Sequence, residues 1–188
     1  MQVADAQREV RTTYRGGLAG QLVSGGIWLA SAAIATWGSR SLAILVLLVG
    51  GFLIFPLTRL ALRLAGRPAG TPPGNPLNAL AVQVAFTVPL ALPIVLALAA
   101  HEPRWFYPSL MIVVGAHYLP FAFLYGMRAF LALGGVLVAA GFALGPWGTA
   151  PFAAGGWFTG VALVAFALVG WRSVVAEERA GGPAAMVR

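Results

Sequence analysis

The chain of 188 residues contains no cysteine and no lysine. Without cysteine there are no disulfides, no thiolate nucleophiles and no iron–sulfur ligands. Without lysine there is neither Schiff-base chemistry nor a Walker-type phosphate loop. Acidic groups are scarce too: five Asp and Glu stand against twelve arginines, and all charged residues together make up 9% of the chain. The only histidines are His101 and His117. They are too few to assemble a metal set or a nucleophile–base pair, so no metal, cofactor or catalytic residue is expected.

What the chain has instead is apolar surface. Hydrophobic residues are 60% of the sequence and mean hydropathy is +0.85, far outside the range of a soluble domain. A helix needs about 20 mostly apolar residues to cross a hydrocarbon core about 30 Å thick. Windows of that kind run over 18–37, 41–62, 78–100, 105–125, 128–145 and 150–171. Continuous runs such as Leu42–Gly51 do not alternate as barrel strands must, and an open sheet cannot satisfy its backbone in lipid. The expected fold class is therefore all-α, a polytopic transmembrane bundle of six spans. The first run lacks a convincing small-residue cleavage site and reads as a retained helix.

Arginine positions orient the bundle. With the N-terminus inside and six spans, Arg8, Arg11, Arg15, Arg59, Arg63, Arg67, Arg128, Arg172, Arg179 and Arg188 fall on the cytoplasmic side, and only Arg40 and Arg104 fall outside. That is the asymmetry the positive-inside rule requires, so both termini are expected in the cytoplasm. The arginines are spread over membrane flanks rather than gathered on one face, which suits anionic headgroups and excludes a nucleic-acid partner. Arginine without lysine, together with abundant Ala, Gly and Pro, points to a GC-rich genome and a bacterial inner membrane. The domain plan is a flank at 1–17, either an interfacial helix or a solvated segment, then one membrane domain at 18–171 and a cytoplasmic tail at 172–188. The Pro- and Gly-rich loop Gly66–Asn75 separates two spans from four.

Small and polar residues mark the faces that meet other helices. Gly16–Gly20, Gly141–Gly145 and Gly156–Gly160 have GxxxG spacing, while Gln21, Ser24, Trp28 and Ser31 form a stripe down the first span that should face protein or water. Prolines inside spans release carbonyls four residues earlier: Pro56 that of Phe52, Pro89 that of Ala85, Pro93 that of Pro89, and Pro120 that of Ala116. Thr87 and Gln83 could repair the face loosened by Pro89 or hold a ligand.

His117 is the one ionisable side chain deep within a span, three residues before Pro120 and beside the carbonyl that Pro120 frees. An intramembrane ionisable group is a functional hypothesis by default, against the alternative of a neutral histidine bonded to tyrosine, glutamine or backbone. The polar inventory leans towards the cytoplasm, so a cytoplasm-facing polar cavity among the first four spans is expected. Its candidate ligand-binding residues are His117, Tyr118, Tyr125, Gln83, Gln21 and Ser24, with helix kinks at Pro56, Pro89, Pro93 and Pro120. Outside, Trp105 and Tyr107 should anchor the short loops at the interface.

The stretch GNPLNAL at Gly74–Leu80, followed by Gln83, Pro93-Ile94, Tyr107-Pro108 and GAHYLPFAFLY at Gly115–Tyr125, resembles a family of small multi-span bacterial integral membrane proteins with no assigned function. The resemblance covers Gly74 to Phe130, with a weaker echo at Gly17–Trp28. It implies a multi-span membrane protein with the His117 segment in the family pattern, and it brings no reaction or ligand. Two roles stay open. One is binding or transport of a small-molecule solute in the cavity. The other is a non-catalytic accessory or sensor protein working through helix–helix contacts, with a membrane partner or a second copy of the chain on the fifth and sixth spans. An enzyme is disfavoured by the missing partners for His117. The halves show no convincing repeat, which counts against a transporter.

Overall fold

The computed structural model describes residues 1–68, 70–145 and 149–180, with the side chains of 173 and 177–180 excepted. Arg188 and the end of the expected C-terminal tail lie outside the described residues, as does the side chain of Arg179. The fold is all-helical: α1 Val3–Thr13, α2 Leu18–Trp37, α3 Arg40–Leu64, α4 Asn78–His101, α5 Phe106–Tyr125, α6 Ala129–Leu144 and α7 Ala154–Ala180. Short 3-10 turns, Arg15–Gly17 and Pro103–Trp105, lead into α2 and α5.

Five helical stretches, Arg15–Trp37, Arg40–Leu64, Asn78–His101, Pro103–Tyr125 and Ala154–Ala176, are long and apolar enough to cross a membrane. The expected span at 128–145 is realised as α6, with 16 residues. At 1.5 Å per residue it is about 24 Å long, short of the hydrocarbon thickness. Arg128 precedes it, and it stops where a Cβ at Gly145 would lie 2.5 Å from the Trp105 ring.

The closest neighbours are α5 with α6 and α2 with α7, while α3 lies chiefly on α2 and α4 chiefly on α5. Half of the apolar window of α5 is buried, against 17% for α3 and 11% for α4, so α5 sits at the centre and α3 and α4 flank it. Glycines set the spacing of the inner helices. A Cβ at Gly115 would lie 2.8 Å from the Gly134 carbonyl oxygen, and one at Gly134 would lie 2.7 Å from the Gly115 carbonyl oxygen. One turn-pair further on, a Cβ at Gly141 would lie 2.8 Å from the Pro108 carbonyl oxygen. The same device joins α2 to α7, where a Cβ at Gly160 would lie 2.6 Å from Leu29 Cγ. Helices in lipid gain nothing from excluding water, so such close approach is how they cohere. Gly156 and Gly160 thus meet α2 and α5 within the chain. Gly16–Gly20, by contrast, is not a helical pair, because Arg15, Gly16 and Gly17 take φ of 49°, 64° and 88°.

The N-terminal flank is a helix. α1 buries Ala6 and Val10 and lies across the end of α5. There Gln7 Nε2 donates to the Phe123 carbonyl at 2.6 Å, and Arg11, one turn on, donates to the Tyr125 carbonyl at 2.6 Å. These are carbonyls of the last turn of α5, where few helical donors remain; the Phe123 carbonyl also accepts from the Gly126 N–H at 3.2 Å. Asn75 holds the other side: its Nδ2 reaches the Ala6 carbonyl and Glu9 Oε2, while its Oδ1 accepts from the Leu77 N–H. At the opposite end, the exposed Glu102–Arg104 pair spans 3.1 Å, and the guanidinium holds the Glu102 carboxyl below the usual carboxylate range.

All four expected kink prolines sit inside unbroken helices: Pro56 in α3, Pro89 and Pro93 in α4, Pro120 in α5. Gly134→Leu is predicted to cost about 1–3 kcal/mol by overpacking, whereas Gly135→Leu, where nothing lies within 4 Å, should stay within about 0.5 kcal/mol. Thermal unfolding in detergent reads both.

Candidate functional site

The stripe on α2 faces protein. Gln21 is 3% exposed, and Ser24, Trp28 and Ser31 are buried as well. Opposite them stands α5. Ser24 lies near the Tyr118 hydroxyl, and Ser31 meets Tyr107 at 2.6 Å. Ser31 Oγ spends its hydrogen on the Ala43 carbonyl at 2.8 Å, so the Tyr107 hydroxyl must be the donor to Ser31. One relay therefore ties α5 to α2 and α3.

Tyr118 and Tyr125 are buried among aromatic rings. Tyr118 stacks on Phe130 with centroids 6.1 Å apart, Tyr125 stacks on Phe121 at 5.7 Å, and Phe130 also meets Tyr125 at 5.0 Å and Phe166 of α7 at 5.4 Å. Gln21 borders this cluster at Gly17, where a Cβ would lie 3.3 Å from Phe130 Cζ and 3.6 Å from Gln21 Nε2. Neither Nε2 nor Oε1 of Gln21 has a hydrogen-bond partner, although both atoms are buried.

His117 lies to one side, partly buried, between the aromatic cluster and α4. Its ring is 5.0 Å from Phe121 and 5.7 Å from Tyr118. Nδ1 lies 2.8 Å from Thr87 Oγ1, and Thr87 donates to the Val84 carbonyl at 2.8 Å. A hydroxyl has one hydrogen, so Oγ1 accepts from Nδ1–H, and in the neutral ring Nε2 is left as the acceptor. The histidine thus bonds to α4 rather than to the carbonyl freed by Pro120, and Thr87 bonds to Val84 rather than to the freed Ala85 carbonyl. Gln83 stays exposed on α4 and does not join the cluster.

The structure accordingly brings together Gln21, Ser24, Tyr118 and Tyr125, sets His117 at their edge and leaves Gln83 apart. Ser24, Tyr118 and Thr87 lie about 9–14 Å from the same-side ends of their helices at 1.5 Å per residue, so the polar groups form a belt across α2, α5 and α4. The belt is closed. One hollow in the described residues is an apolar groove between α2 and α3, walled by Leu22, Gly26, Ala30, Leu53 and Leu57. Another is a small dent near Arg104 and Phe152. Neither is lined by a candidate residue. No group of three His, Asp or Glu placed to hold a metal occurs among the described residues.

The match to known families extends over residues 3–173, which takes in α1, the polar belt and the first 20 of the 27 residues of α7. The chain belongs to DUF7010, a family of unknown function. No curated protein and no solved structure matches it. The DUF7010 match is thus broader than the segment Gly74–Phe130 that carries the sequence resemblance.

Several side chains of this DUF7010 member have roles that spacing alone did not reveal. Tyr107, expected at the interface, is 0% exposed, because the turn Pro103–Trp105 lies outside it and α5 starts already inside the bundle. Asn75 sits in the GNPL segment, and an Asn before Pro is a turn signal, but nothing in the sequence said that it would grip α1. Ser31→Ala is predicted to cost more than Tyr107→Phe. The first strands the buried Tyr107 hydroxyl, about 1–3 kcal/mol, while the second forfeits one net hydrogen bond, about 1 kcal/mol. Paired thermal denaturation of the two variants tests the order.

Proposed function

We propose that this protein is a multi-pass protein of a bacterial plasma membrane that binds a small polar solute at the belt formed by Gln21, Ser24 and Tyr118, reached from the cytoplasmic end. The observation that carries this reading is the Gln21 carboxamide, buried with both its donor and its acceptor unpaired. A buried polar group left unpaired costs about 1–3 kcal/mol, and a packed core retains such a group when something else completes it. A solute offering an acceptor beside a donor would do so, with Tyr118, Tyr125 and Phe130 as apolar walls. His117 and Thr87 would close its far side. Because the belt is closed, binding on this reading includes a movement of α1 or of the turn before α2.

The proposed topology has six spans, with the short α6 buried against α5 in a locally thinned bilayer. Both termini are cytoplasmic. Arg8, Arg11, Arg15, Arg59, Arg63, Arg67, Arg128 and Arg172 then face the cytoplasm and Arg40 and Arg104 the outside, in keeping with the positive-inside rule.

A second reading, an accessory protein acting through helix contacts, is favoured by one feature. α4 is the least buried of the five long apolar helices, and it carries the exposed amide of Gln83. Polar side chains at membrane depth commonly meet another helix. On this reading a partner would lie on α4, or on α6 and α7.

Gln21→Met is expected to raise the unfolding temperature of the ligand-free protein and to abolish stabilisation by any solute found in a thermal-shift screen of amino acids, organic acids and sugars. Unchanged solute stabilisation in the variant would remove Gln21 from the site. The cysteine-free chain also allows single-cysteine labelling: Gly74→Cys should react with an impermeant maleimide only from the cytoplasmic face, and Glu102→Cys only from the outside. The reverse pattern would overturn the topology.

A further inference from the structure

The segment before α2 has two unexplained features besides the orphaned carboxamide. The first turn of α2 has no side-chain cap; the Leu18 N–H bonds back to the Arg15 carbonyl, and the N–H groups after it and the positive end of the helix dipole are directed at the Arg15–Gly17 turn. Arg15 itself, in the left-handed region at φ 49°, has its Nε buried with no partner. Gln21 folds back on this turn, as its amide nitrogen is 3.6 Å from where a Gly17 Cβ would be. Helix terminus, guanidinium and carboxamide are all donors, and nothing in the described residues pairs with Arg15 Nε or with Gln21.

We infer that the N-terminus of α2, with Arg15 and Gln21, is an oxyanion site for a phosphate group that brings its own hydrogen-bond donor. Resting on the reading of Gln21 as a binding residue, this names the chemistry of its ligand. The anion answers Arg15, the helix N-terminus and Gln21 Nε2. The donor is required because Gln21 Oε1 is also orphaned, and a bare oxyanion could not satisfy it. Hydrogen phosphate meets both demands, and so does a headgroup that couples a phosphate to hydroxyls, such as phosphatidylglycerol. The site lies at the start of a membrane-length helix, the depth at which lipid phosphates sit, so either source lies at its level and enters by the same movement of α1 or of the turn before α2.

The test uses the full chain in neutral detergent and in nanodiscs, with thermal unfolding as readout. Inorganic phosphate at neutral pH, in roughly tenfold excess over its dissociation constant, should raise Tm by about 3–6 °C. Sulfate, which has no proton to donate, should raise it less at equal ionic strength. Arg15→Asn removes the guanidinium while supplying a residue that tolerates the left-handed region, so it should fold and should weaken apparent phosphate affinity about tenfold. If phosphate has no effect but phosphatidylglycerol nanodiscs stabilise the native protein over phosphatidylcholine ones, and Arg15→Asn erases the difference, the source is the lipid headgroup and the proposal stands. If neither acts through Arg15 while a neutral solute still stabilises through Gln21, the oxyanion site is overturned and the solute-binding reading survives. If no ligand of either kind depends on Gln21, both fall.

Discussion

Hydrocarbon offers apolar helices no gain from leaving it, so the bundle depends on backbone approach. The reciprocal contact of Gly115 and Gly134 brings α5 and α6 together, while between α2 and α7 Gly25 meets the Gly160 carbonyl oxygen and Gly160 meets Leu29. At Gly115 and Gly134 each helix presents a carbonyl where the other has no side chain, and dispersion and weak Cα–H···O contacts add to the close approach. Everything polar in the interior is positioned by that spacing. Gly156 lets the Tyr107 ring approach α7, which sets the hydroxyl against Ser31. Gly17 leaves room for Phe130 and for the back-folded amide of Gln21. α3 and α4 contribute less, and their exposed apolar faces are compatible with helices that cross a membrane.

The interior polar groups divide into satisfied and unsatisfied. Tyr107, Ser31 and Ala43 form a closed relay, and His117, Thr87 and Val84 form another. Both read as the glue that polar side chains supply between membrane helices. Gln21 differs, because both ends of its carboxamide are unpaired in the same interior where neighbouring hydroxyls found partners. His117, prominent in the sequence as the ionisable group beside a proline, is thereby the less telling of the two: its Nδ1 is accounted for by α4, and the open hydrogen-bonding capacity belongs to a neutral amide near the start of α2.

Much of this was legible in the sequence. The 3, 4, 3 spacing of Gln21, Ser24, Trp28 and Ser31 marked a buried face because a helix repeats every 3.6 residues, and those four residues are buried. Helical class followed from the long apolar runs, while the residues before α2 read equally as a helix or a solvated flank. What was not legible depended on tertiary placement. Gln83 faces outward because α4 lies on the flank of the bundle, and no local pattern encodes which flank a helix takes. Gly16–Gly20 had helical spacing but lies partly in a left-handed turn. α6 ends at Leu144, where Gly145 packs against the Trp105 ring. The bond from His117 to Thr87 on α4 is likewise a matter of tertiary placement.

Glycine-set packing holds a bundle in which, among the described residues, Arg15 Nε, Thr159 Oγ1 and both ends of the Gln21 carboxamide are buried without a partner, and the account of function rests on the Gln21 amide being completed by something other than the chain. An experimental density map of the protein purified from its native membrane, at a resolution that shows side-chain amides, tests this most directly. The account predicts non-protein density within hydrogen-bonding distance of Gln21 Nε2 and Oε1, adjoining the start of α2. A Gln21 carboxamide bonded at both ends to protein groups, with no density beside it, would contradict it.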